Sequence, residues 1–359
     1  MYARKPFRPS AVGRILTTFA DLKPTRGGRR CFKAGMMKRI GVFTSGGDAP
    51  GMNACVRAVV RAAVYHGVEV YGIIRGYSGM IKGEFVKLDS ASVSNTVQRG
   101  GTILKSARSQ KFMTKEGRQQ AFDQLVNHGI EGLVAIGGNG TFTGASIFEH
   151  EFGIPTVGAP GTIDNDLFGT DYTIGYDTAV NTALECIDKI RDTADSHDRC
   201  FFVEVMGRDS GYIAIPCAIG GGAEIVIVPE TAMSVEAVIE SLQSSYQRHK
   251  TSFIVIVAEG EEEGNVHNIA RRVKEAIPQL DTRVTIVGHI QRGGSPTASD
   301  RLLASQLGIA AVEGLLNGMK NVMAGIVDRK LMYTPFDDTI TKRKVINQSF
   351  MRMVEILSV

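Results

Sequence analysis

The sequence predicts an α/β fold of two doubly wound lobes with parallel sheets, and three observations carry that expectation. Short apolar runs alternate with longer segments of helical spacing, as in successive βα units. Two of the runs end in Gly-rich turns that open helices, Ser45-Gly46-Gly47-Asp48 and Gly137-Gly138-Asn139-Gly140-Thr141, and a third ends in Pro160-Gly161-Thr162-Ile163-Asp164-Asn165-Asp166. Beyond Gly175 the alternation restarts, which a second lobe explains. Open α/β sheets bind ligands outside the carboxyl ends of their strands, so the three turns are expected on one sheet edge, facing a cleft between the lobes.

Composition narrows the function. With 359 residues and 43% apolar content, the chain can bury a large core and suits about two domains. Five cysteines (Cys31, Cys55, Cys186, Cys200, Cys217) are odd in number and none stands in a CxxC spacing. That argues against a disulfide framework or a zinc site and for a reducing, cytoplasmic setting. No apolar stretch approaches the roughly 18 residues of a spanning helix, so no membrane partner is expected. The net charge of +4 is uneven: residues 1–35 carry +8, with Asp21 their only acid, which leaves −4 on the rest. A mildly acidic body gives no global attraction for nucleic acid, although local basic clusters can still hold phosphate. Residues 1–36 read as a disordered basic extension or as an Arg-rich transit peptide, and Met36 or Met37, just before the first strand, as a plausible true start.

In chain order, residues 39–44 read as the first strand, followed by the Gly-rich turn and a helix over 54–65. This places backbone N–H groups and a positive helix end where a phosphate can sit, although the spacing is neither GxGxxG nor GxxxxGK[ST]. A strand near 68–74 leads to Arg75-Gly76-Tyr77-Ser78-Gly79, expected as a flexible turn. Arg108 stands among small residues and reads equally as a surface ion-pairing side chain. A helix over 115–128 precedes the strand 133–136 and the second Gly-rich turn. The second lobe is expected to hold a helix over 177–193, a strand over 201–205, then Met206-Gly207-Arg208 and a helix. Strands at 225–228, 253–257 and 284–287 and helices at 234–249 and 265–276 complete it. Its strand ends carry Arg208, Glu259 and Arg292, each of which alone would by default be a surface ion pair.

Residues 160–166 are the most informative stretch. If the segment is extended, Asp164 and Asp166 at i and i+2 project to one side and share a small volume. Two carboxylates there stay ionised only with compensating cations or donors, and Thr162 supplies a hydroxyl. Taken alone, the stretch suits a polar turn capping a strand just as well.

Together, TSGGDAPGMN (44–53), PGTIDND (160–166), VEVMGR (203–208) and GHIQRGGSP (288–296), in this order and spacing, closely resemble the bacterial ATP-dependent 6-phosphofructokinases, the phosphofructokinase A family. The resemblance runs from Lys38 to about Phe336. It implies Mg²⁺-assisted transfer of the γ-phosphoryl group of ATP to the 1-hydroxyl of fructose 6-phosphate, in a homotetramer whose subunits have two Rossmann-like lobes. The large ATP-binding lobe would be residues 37–175 plus 291–341, and the small sugar-phosphate lobe 176–290 plus 342–359.

By this resemblance Asp164 is the general base, with Thr162 and Asp166 beside the sugar and the metal-bound phosphate, while Arg208 and Arg108 stabilise the transferring group. Phosphoryl transfer is largely positioning plus charge stabilisation, which these residue types can supply. Gly47, Tyr77, Gly140 and Thr141 match the ATP pocket. Met206, Gly207, Glu259, His289 and Arg292 match one subunit's hold on fructose 6-phosphate, and Arg199 and Arg283 match residues reaching in from a neighbour.

Arg57, Arg61, Arg191, Glu224 and Lys250 match an effector site between subunits, but Ser90-Ala91 replaces an Arg-Tyr pair and Lys250-Thr251-Ser252 a Lys-Lys-His run. Met113 stands where the family has an arginine near the nucleotide. Asn139 replaces the aspartate that helps hold Mg²⁺, which leaves a non-catalytic paralogue as a rival reading. Pyrophosphate-using relatives carry Asp at the position of Gly140 and Lys at that of Gly161, so both glycines favour ATP, on the expectation that larger side chains there obstruct its phosphates.

Overall fold

The computed structural model describes residues 37–231, 233–260 and 265–357. The basic arm, and with it the disordered-extension and transit-peptide expectations, lies outside them.

The chain opens with β1 (Arg39–Thr44), α1 (Met52–Tyr65), β2 (Glu69–Ile73), α2 (Gly76–Lys82) and β3 (Phe85–Leu88). It continues with α3 (Lys115–Asn127), β4 (Gly132–Gly137), α4 (Asn139–Phe152) and β5 (Thr156–Pro160). The second run holds α5 (Tyr176–Ser196), β6 (Arg199–Val205), α6 (Ala214–Gly221), β7 (Ile225–Ile227), α7 (Val235–Gln247), β8 (Phe253–Ala258), α8 (Val266–Ala276) and β9 (Asp281–Ile286). Then come α9 (Ala298–Leu316), β10 (Val322–Val327), β11 (Lys330–Pro335), α10 (Phe336–Thr341) and α11 (Gln348–Leu357).

These form two sheets, ordered β11-β10-β5-β4-β1-β2-β3 and β7-β8-β6-β9. The second is parallel throughout; the first is parallel except for its two edges, where β3 and β11 run antiparallel to their neighbours. Every residue of β4, β5 and β8 is buried, as expected of central strands covered by helices on both faces. Among the covering helices, α9 lies against α1 closely enough that a Cβ on Gly308 would stand 2.8 Å from the Cβ of Ala58. After α10 the chain leaves the first sheet, and α11 packs against α6 and β7 beside the second.

β5, β4 and β1 are consecutive and parallel, with Gly137 opposite Pro160 and Thr44 opposite Ile136. The three polar turns therefore leave the same sheet edge side by side. From β1 the chain winds outward to β2 and then, on the other side, to β4 and β5, so the turns after β1 and β4 flank a topological switch point, where such sheets hold ligands.

Two expectations are corrected. Residues 75–79 are not a flexible turn: Arg75 takes the left-handed conformation (φ 61) as N-cap, and α2 follows until the left-handed Gly83 ends it. Residues 161–166 are not extended either, because Asn165 is left-handed (φ 53) and bends the chain between the two aspartates. Among the described cysteines Cys55, Cys186, Cys200 and Cys217 are free thiols, and burial pushes Cys55, Cys200 and Cys217 up to about 12.

Candidate active site

The turn after β5 is built around Thr162 and Asp164. The Thr162 hydroxyl donates to Asp164 Oδ2 at 3.3 Å and accepts from the Asp164 amide, also at 3.3 Å. The loop is closed on itself: Thr173 Oγ1 donates to Thr162 O (2.6 Å), Thr173 N donates to Asn165 Oδ1 (3.0 Å), and Ile174 N donates to Pro160 O. The bend at Asn165 thus does what an extended segment was expected to do and keeps the two carboxylates within electrostatic reach of each other.

Asp164 is 8% exposed, and its Oδ1 is buried without a hydrogen-bond partner. Burial pushes its proton affinity up, the neighbouring Asp166 adds to this, and Arg292, Thr162 and Arg208 oppose it. Asp166 is also raised by burial, against its own amide, Arg208 and Lys344. A carboxyl group held in this way binds a proton more readily than an exposed aspartate, which suits a general base.

The turn after β4 supplies the second wall. Gly138 caps α4, Asn139 begins it, and the Asn139 Oδ1 is buried and unpartnered. A Cβ on Gly140 would meet nothing within 4 Å, so this residue faces open space. Thr141 Oγ1 donates to Ser45 O (3.1 Å), locking the turns after β4 and β1 together, and Tyr77 Oη donates to Thr141 O (2.6 Å). Tyr77 is itself buried and stacked on Phe112, so its ring supports the turn from beneath.

In the turn after β1, Ser106 Oγ donates to Gly46 O (2.5 Å), and Arg292 Nη1 donates to Asp48 O (3.3 Å). The Arg292 guanidinium covers Gly47, where a Cβ would stand 2.5 Å from Nη1. Arg108 is exposed on the loop after Ser106.

The opposite wall comes from the strand ends of the second sheet. Met206 N donates to Oε1 of the buried Gln291 (2.8 Å), and Ser210 Oγ reaches Asp164 O at 3.4 Å, joining the two walls directly. Arg208 is left-handed (φ 59) with its side chain 69% exposed, and its nearest acid is Asp209 at 4.0 Å. Its guanidinium is therefore available to a ligand. Gly207 has φ 154, and a Cβ there would lie 2.6 Å from Ser210 O. Glu259 is half-buried beside β6, its amide bonded to Val205 O, and His289 is exposed.

Arg199 and Arg283 do not join this cluster within the chain. Both guanidiniums bind Asp281 Oδ2, at 2.9 and 3.0 Å, on β9 at the edge of the second sheet. Arg191 donates to the carbonyls of Gly221 (2.5 Å) and Gly222 (2.6 Å), and Lys250 pairs with the buried Glu224 (2.7 Å). Arg57 and Arg61 stand one turn apart on α1 and make no ion pair among the described residues.

Three positions that the sequence did not single out shape the site. Gln291 holds Met206 and also Ala179 O; Ser210 joins the walls; Lys344 donates to the carbonyls of Asn165 (3.2 Å) and Asp171 (2.6 Å). Gln291 and Ser210 lie in or near recognisable motifs, whereas no local pattern marks Lys344.

The phosphofructokinase family model matches residues 39–315. The chain is 64% identical over 322 residues to the ATP-dependent 6-phosphofructokinase of Cytophaga hutchinsonii, covering 90% of this chain and 98% of that one. It is 58% identical to ATP-dependent 6-phosphofructokinase 1 of Thermus thermophilus, with 90% and 100% covered. Among solved structures, phosphofructokinase from Saccharomyces cerevisiae superposes with a TM-score of 0.82 at 35% identity, over 89% of this chain and 48% of the yeast chain, about half its length. A pyrophosphate-dependent phosphofructokinase from Marinobacter aquaeolei, at 22% identity and TM-score 0.78 over 89% of this chain and 91% of that one, shares the fold. With the family model spanning most of the folded residues and the relatives matching end to end, the chain belongs to the phosphofructokinase family.

Proposed function

We infer that the protein transfers the γ-phosphoryl group of ATP to the 1-hydroxyl of fructose 6-phosphate, giving fructose 1,6-bisphosphate and ADP. The observation that carries this reading is Asp164: a buried carboxyl of raised proton affinity, with one oxygen unpartnered, where three βα turns meet the strand ends of a second sheet. Asp164 takes the proton from the attacking hydroxyl, and Thr162 fixes the orientation of its carboxylate. Arg208 and Arg108, both exposed, neutralise charge on the transferring phosphoryl group. The nucleotide lies along the turns bearing Gly47, Gly140 and Thr141, where the N-terminus of α4 favours phosphate. The sugar phosphate lies against Met206, Gly207, Glu259, His289 and Arg292.

Mg²⁺ fits this donor set. Asn139 Oδ1 is a buried oxygen without a partner and Asp166 offers a carboxylate, while Mg²⁺ takes oxygen ligands and keeps several waters and substrate phosphates. When bound it would supply charge neutralisation between phosphates. Asn139 contributes no negative charge, so the metal would be held mainly by carboxylate and phosphate.

ATP rather than pyrophosphate is supported by the names of the closely similar relatives and by the open space at Gly140. Gly161 supports it less directly than expected. A Cβ there would press on Ile136 and Met52 at 3.0 and 3.1 Å, so the first carbon of a larger side chain enters the core rather than the cleft.

The lobes are taken as residues 37–175 plus 291–341 and 176–290 plus 342–359. A homotetramer, in which Arg199 and Arg283 serve a neighbour's sugar site, suits their position around Asp281, with Arg283 on the edge strand β9 and Arg199 at the start of the adjoining β6. The effector site of Arg57, Arg61, Arg191, Glu224 and Lys250 belongs to the same assembly. No described helix is long and apolar enough to cross a membrane, and a glycolytic reaction with free thiols suits the cytoplasm.

The test is an assay of purified protein with fructose 6-phosphate and either ATP or pyrophosphate, with and without Mg²⁺. Turnover confined to ATP plus Mg²⁺ is expected. Preference for pyrophosphate would overturn the donor, and no turnover with either would favour the paralogue.

A further inference from the structure

The turn that carries Asp164 and Asp166 is held from outside by a residue of the C-terminal segment. Between α10 and α11, Arg343 forms an isolated antiparallel bridge with Leu167, immediately after Asp166. This bridge delivers the next side chain, Lys344, to the back of the turn. Its ammonium donates to Asn165 O at 3.2 Å and Asp171 O at 2.6 Å, and lies 4.9 Å from the centre of the Tyr212 ring. Asn165 is the left-handed residue between the two aspartates, so a bond to its carbonyl fixes the peptide that sets their relative direction.

The electrostatics agree with this geometry. Burial lowers the Lys344 proton affinity to about 8, while Asp171 and Asp166 act to raise it, and Lys344 in turn lowers that of Asp166. The lysine therefore acts on Asp166 through charge, and on the turn as a whole through the backbone.

We propose that Lys344 is a positioning residue for the phosphotransfer: by tying the carbonyls of Asn165 and Asp171 together it holds the turn that aims Asp164 and Asp166 into the cleft. This rests on the phosphotransfer reading above. Lys344 does not touch the substrate side of the turn; it acts through Asn165. Misplacing a catalytic group by about 1 Å can cost on the order of a hundredfold in rate, so a loosened turn should appear in kcat. The ATP pocket, built on the turns after β1 and β4, should be affected little.

The experiment compares wild type with Lys344→Met, Lys344→Gln and Lys344→Arg by steady-state kinetics with ATP, fructose 6-phosphate and Mg²⁺, with thermal unfolding alongside. An adjoining cavity of about 480 Å³, lined in part by Tyr176, Tyr212, Ile215 and Phe350, leaves room for the longer arginine. Lys344→Met should lower kcat about 10- to 100-fold, leave KM for ATP within about threefold and change Tm little. Lys344→Arg should recover most of kcat, because a guanidinium can donate to both carbonyls and keeps the charge. Lys344→Gln, shorter and uncharged, should fall between them and serves if the methionine variant fails to fold.

Wild-type kcat in the methionine or glutamine variant would overturn the proposal. So would a loss of rate that merely follows a loss of folded protein, or an arginine variant no better than methionine. An inactive wild type would instead overturn the phosphotransfer reading itself.

Discussion

The guanidinium of Arg292 rests on Gly47, with Nη1 2.5 Å from where a Cβ on residue 47 would stand and within hydrogen-bonding distance of Asp48 O. A residue assigned to the sugar phosphate is thereby seated on the turn assigned to the nucleotide, and its charge reaches Asp164. Gly47 does not have a positive φ, so alanine is compatible with the backbone and its methyl acts only by pushing Arg292 aside. Gly47→Ala should raise KM for fructose 6-phosphate several-fold with little change in Tm. Unchanged KM values for both substrates would show that the Arg292 seat is irrelevant to binding.

Asp164→Asn should lower kcat about 10²- to 10⁴-fold while fructose 6-phosphate affinity stays within a few fold, because the amide keeps the shape and loses the base. The acid limb of kcat/KM gives a second measure. The base works only when ionised, and burial together with Asp166 disfavours the anion, so the fall in activity with decreasing pH should set in at a higher pH than for an ordinary aspartate of about 3.9. A limb at the ordinary value, or none in the variant-sensitive range, would point to another group.

Asn139 carries an unpartnered buried amide oxygen at the position where the sequence resemblance leads one to expect a carboxylate. Asn139→Asp should lower the Mg²⁺ concentration that gives half-maximal rate, since a carboxylate adds charge to the donor set. If titration of rate against Mg²⁺ is the same for both proteins, residue 139 does not act on the metal.

Gly140→Asp tests donor selection by charge. A Cβ at this position meets no atom, so folding should be untouched, and Tm should show it. The carboxylate would repel nucleotide phosphates and raise KM for ATP well above any change for fructose 6-phosphate. Equal KM for ATP would mean that Gly140 does not face the donor.

The sequence by itself determined the layered α/β architecture, because short apolar runs alternating with longer segments of helical spacing specify successive βα units. It also determined the chemical types at the strand ends, since motifs as long as residues 44–53 and 160–166 carry their own turn chemistry. It left α2 as a turn, because the left-handed Arg75 and Gly76 look like loop residues until the helix after them is seen. Nor did it delimit α9, which is apolar on several sides because it is enclosed by α1, β5 and β10 and so lacks a single stripe. Only the tertiary structure decided how Asp164 is oriented and charged. Its environment is assembled from Asp166, Arg208 and Arg292, and its turn is anchored by Lys344 from the far end of the chain. Local sequence encodes conformational preference over a few residues, whereas burial and Coulomb interaction depend on distances in space, and those exist only once the sheets have brought residues 164, 208, 292 and 344 together.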